Sequence, residues 1–408
     1  MTKLVAALSG GLDRIRRDER LLVICGSTVL VMAGQGVVGP VLPLFARDFG
    51  VSAAVVGLTF TAFGLARLLL NIPAGIWADR RGRRFLLVGG PLITAVGMVG
   101  SGLAPSIWVL LGWRFVAGAG SALYMTGAQI YLIDIAGPEE RGRYIATNQG
   151  ALLLGVSAGP AIGGILADLY GLRTPFLVVG LTAAVTAVYS WLRLPETRNA
   201  AAADAAVDED PLVERPSGRR FFRSRQFVAI GLISMAIFSI RGSRQTLVPL
   251  YANETFNLSS GQIGLVFAGL GVVGLVLIGP AGILADSAGR KPIIVAAGYL
   301  ATVGVAGTAF APTAGLFVFA VLFSAVGTGI SGPAPAAFVA DIAPAELRGS
   351  AMGMYRTWGD LGIVLSPLLS GLLADATSIP VAIFVNALFL AAAVTWFLLV
   401  AREPEPES

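Results

Sequence analysis

The sequence contains little charge and almost no side chains that bind metals or form disulfides. Only 13% of the 408 residues are charged, and there is no histidine and a single cysteine, Cys25. Soluble domains typically contain about 25% charged residues. A single thiol excludes a disulfide framework and a cysteine-based metal site. Without histidine, a proton that crosses a membrane interior has to be carried by a carboxylate, and we expect no cofactor.

The chain is rich in apolar residues. Hydrophobic residues make up 55% of the chain and the mean hydropathy is +0.79. This composition predicts an all-α polytopic membrane protein with no room for a large soluble domain. Because a spanning helix needs roughly 20 apolar residues, the apolar runs predict twelve helices, near 21–46, 54–78, 85–104, 107–134, 144–168, 174–194, 227–252, 261–285, 292–311, 313–341, 350–374 and 379–401.

The excess of positive charge is consistent with a membrane location. The formal net charge is +5 and the pI is about 9.6, which in another context could indicate nucleic acid. Here the arginines flank apolar runs, so we interpret them as topology determinants that contact the lipid bilayer. The positive-inside rule then predicts a multi-pass protein of the cell (inner) membrane, with both termini cytoplasmic and no nucleic-acid partner.

A short repeat defines the architecture. The pentapeptide Gly-(Ile/Leu)-x-Ala-Asp occurs at 75–79, 164–168, 282–286 and 371–375. The first and second copies are 89 residues apart (164 minus 75), which is enough for about three membrane crossings. The first and third copies are 207 residues apart (282 minus 75), which is enough for about six crossings and a linker. Copies that are 89 residues apart therefore lie on opposite sides of the membrane, whereas copies that are 207 residues apart lie on the same side. The sequence therefore predicts two six-helix halves, each an inverted 3+3 repeat, as in secondary transporters.

This organisation divides the chain into five segments. A basic cytoplasmic segment, 1–20, precedes the N-terminal half, 21–194. A cytoplasmic linker, 195–225, leads to the C-terminal half, 226–401, and a cytoplasmic tail, 402–408, follows. The linker mixes Ala, Asp, Glu, Pro and Arg without periodicity, which is typical of solvated chain.

Charged residues follow the first pentapeptide and partly return after the third. Asp79 can bind the positive N-terminal end of a helix from the other half, and breaking that contact would permit rocking. We therefore interpret the cluster as a conformational latch. The alternative is a solvated turn whose charges serve only topology. The latch residues are Gly75, Asp79, Arg80, Gly82, Arg83, Arg84, Asp134, Arg141, Asp286, Gly289 and Arg290.

The predicted helix 144–168 contains several small residues and a proline. Pro160 removes one backbone hydrogen bond, and Pro367 is its equivalent in the repeat, since 367 minus 160 is 207. The functional interpretation is a bend or pivot between the halves, and the alternative is ordinary packing of small residues. The residues concerned are Gly155, Gly159, Pro160, Gly163 and Gly164.

These motifs resemble those of a known family. The run 75–84 resembles the signature of the major facilitator superfamily, and 282–291 its weaker second copy. The runs 114–120 and 155–164 are similar to motifs of its twelve-helix drug:proton antiporter branch. The resemblance implies alternating access, export, a latch partner in the helix that starts near Ser350, and assistance to proton transfer by Arg114. We also expect a monomer.

Charged residues inside predicted helices indicate where protons are carried. Asp360 is the only acid that the predicted helix ends place near the bilayer midplane, because the other candidates lie at helix ends. We expect Asp360 to carry the proton, with Arg114 and Arg356 in the same coupling site. The alternative is that Arg356 and Asp360, spaced i,i+4, only neutralise each other.

Taken together, these features predict a proton-coupled exporter of small amphipathic compounds or drugs that binds its substrate in a central cavity. The alternatives are a carrier for organic anions or for sugars and other metabolites, in which Arg67, Arg114 and Arg241 bind the substrate. A membrane enzyme or receptor is disfavoured, because the chain lacks a nucleophile elbow and an extramembrane domain. Plain helix packing is the alternative for the cavity candidates, which are Gln35, Arg67, Tyr124, Met125, Gln129, Asn148, Phe238, Arg241, Tyr355 and Trp358.

The repeat predicts which ends of the helices face the cytoplasm. Cysteines placed beside Asp168 and Asp375 should react with an impermeant maleimide added outside, whereas cysteines beside Asp79 and Asp286 should not. Labelling of all four positions from one side would contradict the inverted topology.

Overall fold

A computed structural model describes residues 19–137, 140–197, 219–332, 334–344 and 347–403. This part of the chain forms fifteen α-helices and no strand. The helices are α1 Glu19–Val38, α2 Leu42–Arg47, α3 Ala53–Arg81, α4 Arg83–Gly102, α5 Ile107–Ile135, α6 Arg141–Tyr170, α7 Thr174–Arg193, α8 Arg219–Phe222, α9 Arg225–Phe256, α10 Ser260–Ala288, α11 Arg290–Ala309, α12 Ala314–Ile330, α13 Ala334–Ile342, α14 Arg348–Ala376 and α15 Ile379–Val400.

Twelve helical stretches of this part of the chain are long and apolar enough to cross a membrane. The prediction of an all-α fold with twelve spanning helices is therefore confirmed, and most predicted ends agree within a few residues. Most of the predicted segment 1–20, linker 195–225 and tail 402–408 lies outside the described residues.

Two predicted helices are interrupted by prolines. The predicted helix 21–46 ends at Val38 and resumes at Leu42, around Pro40 and Pro43. The predicted helix 313–341 is divided into α12 and α13, with Pro335 in the first turn of α13. Proline lacks a backbone N–H and disfavours helical conformation at the preceding residue. An uninterrupted apolar run therefore does not guarantee an uninterrupted helix.

Backbone contacts divide the chain into two units whose boundaries differ from those of the two halves. Unit 1 holds the described residues up to Val38, Leu65–Gly159, and those of the segment Arg173–Glu209. Unit 2 holds Gly39–Gly64, Pro160–Leu172 and the described residues from 219 onward. The helices α3 and α6 each contribute to both units. Two segments of the predicted N-terminal half are thus packed with the C-terminal half.

In unit 1, α4 packs against α5 and α7, and α1 packs against α7. A core between these helices contains the buried side chains of Leu87, Tyr124 and Tyr131. Gly120 lets α5 approach α4 closely, because a Cβ there would lie 2.5 Å from both the Gly90 oxygen and the Thr94 nitrogen. Helices in membranes pack closely through such small residues.

Unit 2 repeats this packing with other helices. α9 packs against α14 and α15, and α11 packs against α12 and α15. Gly327 is the equivalent of Gly120 in the repeat, because 327 minus 120 is 207. It has the same role, since a Cβ there would lie 2.6 Å from the Ala297 oxygen. The internal repeat therefore includes the close contact between the third and fourth spanning helices of each half.

The close contact at Gly120 predicts a strong effect of side-chain size. Gly120→Leu should lower the thermal stability of the purified protein, because backbone atoms of α4 cannot move aside. Overpacking of this kind typically costs about 1–3 kcal/mol. Gly112→Leu is the matched control on the same helix, since a Cβ there meets no atom within 4 Å. Equal melting temperatures for the two variants would contradict the packing described.

Candidate functional site

Charged residues connect the helices of unit 1 next to the arginine-rich loop 80–84. Nε of Arg83 donates to Oδ2 of Asp134 at 2.8 Å, and Thr197 Oγ1 donates to the same oxygen at 2.8 Å. The side chains of Arg83 and Asp134 are 8% and 7% exposed. Asp79 lies 3.4 Å from Arg83 Nη1, but its side chain is 73% exposed. The structure thus places Asp134 inside the network and leaves the Asp79 carboxylate accessible.

The other predicted latch residues of unit 1 lie around this network. Gly75 is partly buried, and Arg80 and Arg141 are exposed. Arg84 donates from Nη2 to the carbonyl oxygen of Trp191. These positions are compatible with a latch and also with a solvated turn.

A glutamate that sequence reasoning missed caps α4. The Glu196 carboxylate accepts from the backbone N–H groups of Arg83 at 2.9 Å and Arg84 at 3.1 Å. Gly82 precedes them with φ 94°, a conformation that favours glycine. A carboxylate at a helix N-terminus satisfies unpaired N–H groups and meets the positive end of the helix dipole.

Unit 2 contains the same arrangement at the equivalent positions of the repeat. Glu403 (196 plus 207) accepts from the N–H groups of Arg290 at 2.6 Å and Lys291 at 2.9 Å. Gly289 has φ 91°, and Arg290 Nε donates to Asp341 Oδ2 at 3.3 Å. The side chain of Asp286 lies outside the described part. The spacing between Glu196 and Glu403 was the signal that could have identified both caps.

The other two aspartates of the repeat cap helices within unit 2. Asp375, at the end of α14, accepts from the backbone N–H groups of Ala53 at 2.8 Å and Ala54 at 2.9 Å. These N–H groups begin α3. The carboxylate therefore joins α14 of the C-terminal half to α3 of the N-terminal half.

Asp168 makes the equivalent contact with the roles of the halves exchanged, because the carboxylate comes from the N-terminal half and the capped helix from the C-terminal half. Its Oδ2 accepts from Ser259 Oγ at 2.7 Å and from the Gly261 backbone N–H at 2.9 Å. Ser259 is also the N-cap of α10, where it forms a capping box with Gln262. The end of α6 is thereby joined to the start of α10.

The backbones approach each other closely beside these caps. A Cβ on Gly57 would lie 2.5 Å from the carbonyl carbon of Pro367, and one on Gly264 would lie 3.1 Å from that of Pro160. The four residues form two equivalent pairs, because 264 minus 57 and 367 minus 160 both equal 207. Thr61 Oγ1 also donates to the Val364 oxygen at 2.7 Å. We call this set of interactions around Asp168, Asp375 and the two prolines the reciprocal contact.

One ion pair in unit 2 links residues that are themselves equivalent in the repeat. Arg47 Nε lies 2.9 Å from Glu254 Oε1, and 254 minus 47 is again 207. The two side chains are 40% and 38% exposed, so the pair contributes little stability. Its position fits a two-fold relation between the halves within the reciprocal contact.

The small residues of α6 have two sets of neighbours. In unit 1, Gly155 and Gly159 lie against α1, where Cβ atoms would be within 2.9 Å of Ala33 and 2.8 Å of Gly36. In unit 2, the carbonyl of Pro160 and the Cα of Gly164 face Gly264 of α10. Gly163 is buried. Close packing explains these residues, and a pivot at Pro160 stays a prediction.

The proposed proton-coupling residues occupy different units. Arg114, in unit 1, is 4% exposed, and its Nη1 lies 3.8 Å from the sulfur of Met98. Asp360 and Arg356, on α14 in unit 2, are both exposed. Proton transfer by Asp360 and mutual neutralisation of Arg356 and Asp360 both stay predictions.

The cavity candidates of unit 1 differ in accessibility. Tyr124 is fully buried and its hydroxyl lies 3.0 Å from Thr28 Oγ1. Asn148 is 4% exposed. Both are therefore core residues in this structure and do not present a surface to a substrate. The remaining candidates are at least partly accessible, namely Gln35, Arg67, Met125 and Gln129.

The cavity candidates of unit 2 form one group along α9 and α14. The Arg241 guanidinium lies 5.0 Å from the centre of the Phe238 ring, a cation–π geometry. On α14, the Tyr355 carbonyl oxygen accepts from Ser234 Oγ at 3.4 Å, and Trp358 packs against Gly231. Aromatic rings and a cation are thus brought together on two adjacent helices.

Three relatives are similar to the chain over most of its length. An uncharacterized MFS-type transporter of Methanocaldococcus jannaschii is 27% identical over 89% of this chain and 93% of its own. Multidrug resistance protein 1 of Bacillus subtilis is 26% identical over 88% and 91%. The class C tetracycline resistance protein of Escherichia coli is 26% identical over 94% and 92%.

A solved structure shares the fold. The bacterial homologue of the human lysosomal transporter Spinster, in an inward-facing and occupied conformation, superimposes with a TM-score of 0.81 at 17% identity. The alignment covers 95% of this chain and 97% of that one. The sequence profile of the Major Facilitator Superfamily matches residues 24–251 and 233–408, which together include both halves. The chain therefore belongs to the Major Facilitator Superfamily and is a transporter rather than an enzyme.

Proposed function

We propose that the protein exports small amphipathic compounds by proton-coupled antiport. Relatives that are named as multidrug and tetracycline resistance proteins support the export of drug-like compounds. The small residues around Pro160 also support export, because the run 155–164 resembles a motif of the drug:proton antiporter branch. The single observation that carries the mechanism is the reciprocal contact, because it joins the two halves through interactions that can be broken and remade.

The reciprocal contact is suited to switching because it consists of helix caps rather than buried ion pairs. An N-cap is worth about 0.5–2 kcal/mol, so two caps contribute about 1–4 kcal/mol. A difference of about 1.4 kcal/mol changes an equilibrium tenfold, so two caps are enough to bias two conformations without trapping one of them. We propose that Asp168 and Asp375 close the outer side of the transporter in this way.

The same repeat assigns Asp79 to the cytoplasmic side. Asp375 at the end of α14 caps the start of α3. By the inverted symmetry of the repeat, we expect Asp79 at the end of α3 to cap the start of α14 on the other side of the membrane. The Asp79 carboxylate is exposed in this structure while Asp168 and Asp375 are engaged. We propose that the inner and outer caps form alternately during the transport cycle.

Substitutions of the inner and outer caps should shift the protein in opposite directions. Asp168→Asn combined with Asp375→Asn should weaken the outer caps and increase the outward-facing population. Asp79→Asn should increase the inward-facing population and slow transport. Double electron-electron resonance distances between spin labels on each side would measure both shifts.

Asp48→Asn is the control for these variants, because Asp48 is an exposed carboxylate near Arg47 with no side-chain contact described. Its distance distributions should match those of the wild type. Distances that stay unchanged in Asp79→Asn and in the double variant would contradict alternating caps.

Proton coupling is assigned to Asp360 for two reasons. Asp360 is exposed, so its carboxylate is accessible. It also lies on α14, the helix that ends at Asp375, about 22 Å away at 1.5 Å per residue. We propose that gain or loss of a proton at Asp360 changes the charge on α14 and so biases the cap at its end, with Arg114 as an electrostatic helper.

Removing the ionisable group should separate coupling from transport. In proteoliposomes, Asp360→Asn should abolish accumulation of a drug against its gradient but retain downhill exchange. The pH change that accompanies substrate addition should also be absent in this variant. Asp48→Asn should keep both activities. Uphill accumulation by Asp360→Asn would exclude Asp360 as the proton carrier.

A carrier for organic anions is the second candidate function. It is favoured by the position of Arg241, which is exposed beside the Phe238 ring and has no carboxylate partner among the described residues. Competition by carboxylates or phosphates that weakens with ionic strength would identify this function, whereas competition by cationic drugs would support export.

A further inference from the structure

We propose that the C-terminal half contains a binding site for one small monovalent anion, of about the size of chloride, between α9, α11 and α12 at Arg244. The site lies within unit 2 and is separate from the residues assigned to proton coupling and to the reciprocal contact.

Arg244 carries a charge that its neighbours do not neutralise. It lies past the middle of the 32-residue helix α9, about 28 Å from its start and so deep within the spanning part. Nη2 donates to Ser324 Oγ at 3.2 Å, and no carboxylate pairs with the guanidinium in the described part of the chain. Arg241, one turn earlier, adds a second positive charge. A guanidinium has five N–H donors, and in membranes such groups are paired or face a polar cavity.

A cavity adjoins this guanidinium. It has a volume of about 20 Å³, which is room for one water-sized particle. Its polar lining consists of Arg244 and the hydroxyls of Ser243, Thr308 and Ser324, and its remaining walls are apolar. Each hydroxyl now donates to a carbonyl of its own helix. A hydroxyl can rotate from such a bond toward an anion at small cost.

The repeat accounts for the open space beside Arg244. Two of its lining residues, Val305 and Val321, correspond to Met98 and Arg114 in unit 1 (305 minus 207 and 321 minus 207). There the Arg114 guanidinium lies against the Met98 sulfur at 3.8 Å. In unit 2 the guanidinium comes from α9 instead, and valine is shorter than methionine. The space that Met98 occupies in unit 1 is therefore left open beside Arg244.

The chemistry of the site determines its ligand. One fixed positive charge with several unused N–H donors favours a single negative charge, and the small volume excludes sulfate, phosphate and any organic acid much larger than its carboxylate group. A free halide and the carboxylate group of a substrate share this chemistry. The experiment below distinguishes the two sources.

Thermal unfolding of the purified full-length protein in nanodiscs would test the site at constant ionic strength. Sodium chloride or bromide in place of sodium gluconate should raise the melting temperature by roughly 2–4 °C, because a ligand that binds only the folded state stabilises it. Formate and acetate form a second arm. A shift with halides alone identifies a free ion, and a shift with carboxylates as well identifies a site that also accepts a substrate carboxylate.

Two variants assign the effect to this cavity. Arg244→Gln removes the charge, and Val305→Met fills the space as Met98 does in unit 1 while keeping the charge. Each should abolish the anion-dependent shift. Val303→Met, on the exposed face of the same helix, is the matched control and should retain it. Equal melting temperatures of the wild type in chloride and gluconate would overturn the proposal, as would a shift that persists in Val305→Met.

Discussion

The first N–H groups of a helix have no partner within that helix, and in a membrane protein water cannot always supply one. Here carboxylates satisfy four such ends: Glu196 and Glu403 at α4 and α11, and Asp375 and Asp168 at α3 and α10. Each of these side chains comes from a distant part of the sequence. Capping therefore fixes which helix ends lie together, and the packing around them follows from that constraint.

The two pairs of caps differ in what they connect. Glu196 and Glu403 connect segments of the same half, next to buried or partly buried ion pairs such as Arg83 with Asp134. Removing one partner of a buried pair leaves an uncompensated charge, so these contacts favour rigid halves. Asp168 and Asp375 connect opposite halves at points where glycines and prolines bring backbones together. Contacts of modest energy at that position are suited to alternate with others during a transport cycle.

Duplication preserved the backbone contacts of the two halves more strictly than their interior charges. The glycines at the close helix contact, the positive-φ glycines before α4 and α11, and the caps all recur at equivalent positions of the repeat. The arginines inside the spanning helices do not, since Arg114 has Val321 as its equivalent and Arg244 has Val37. A close backbone approach tolerates no added Cβ, whereas a guanidinium on a long side chain can reach the same space from a different helix.

The sequence alone determined the number of spanning helices, the inverted repeat and the arginine-rich loops, because apolar length, charge clusters and fixed spacing are local or periodic signals. It also singled out Asp168 and Asp375 without identifying what they cap. Their partners lie 91 or more residues away along the chain, and only tertiary packing brings them within hydrogen-bond distance. The same applies to Glu196, which has no local signature. The spacing of Arg356 and Asp360 allows an ion pair, but side-chain direction is set by the surroundings, so the spacing alone does not decide whether the pair forms.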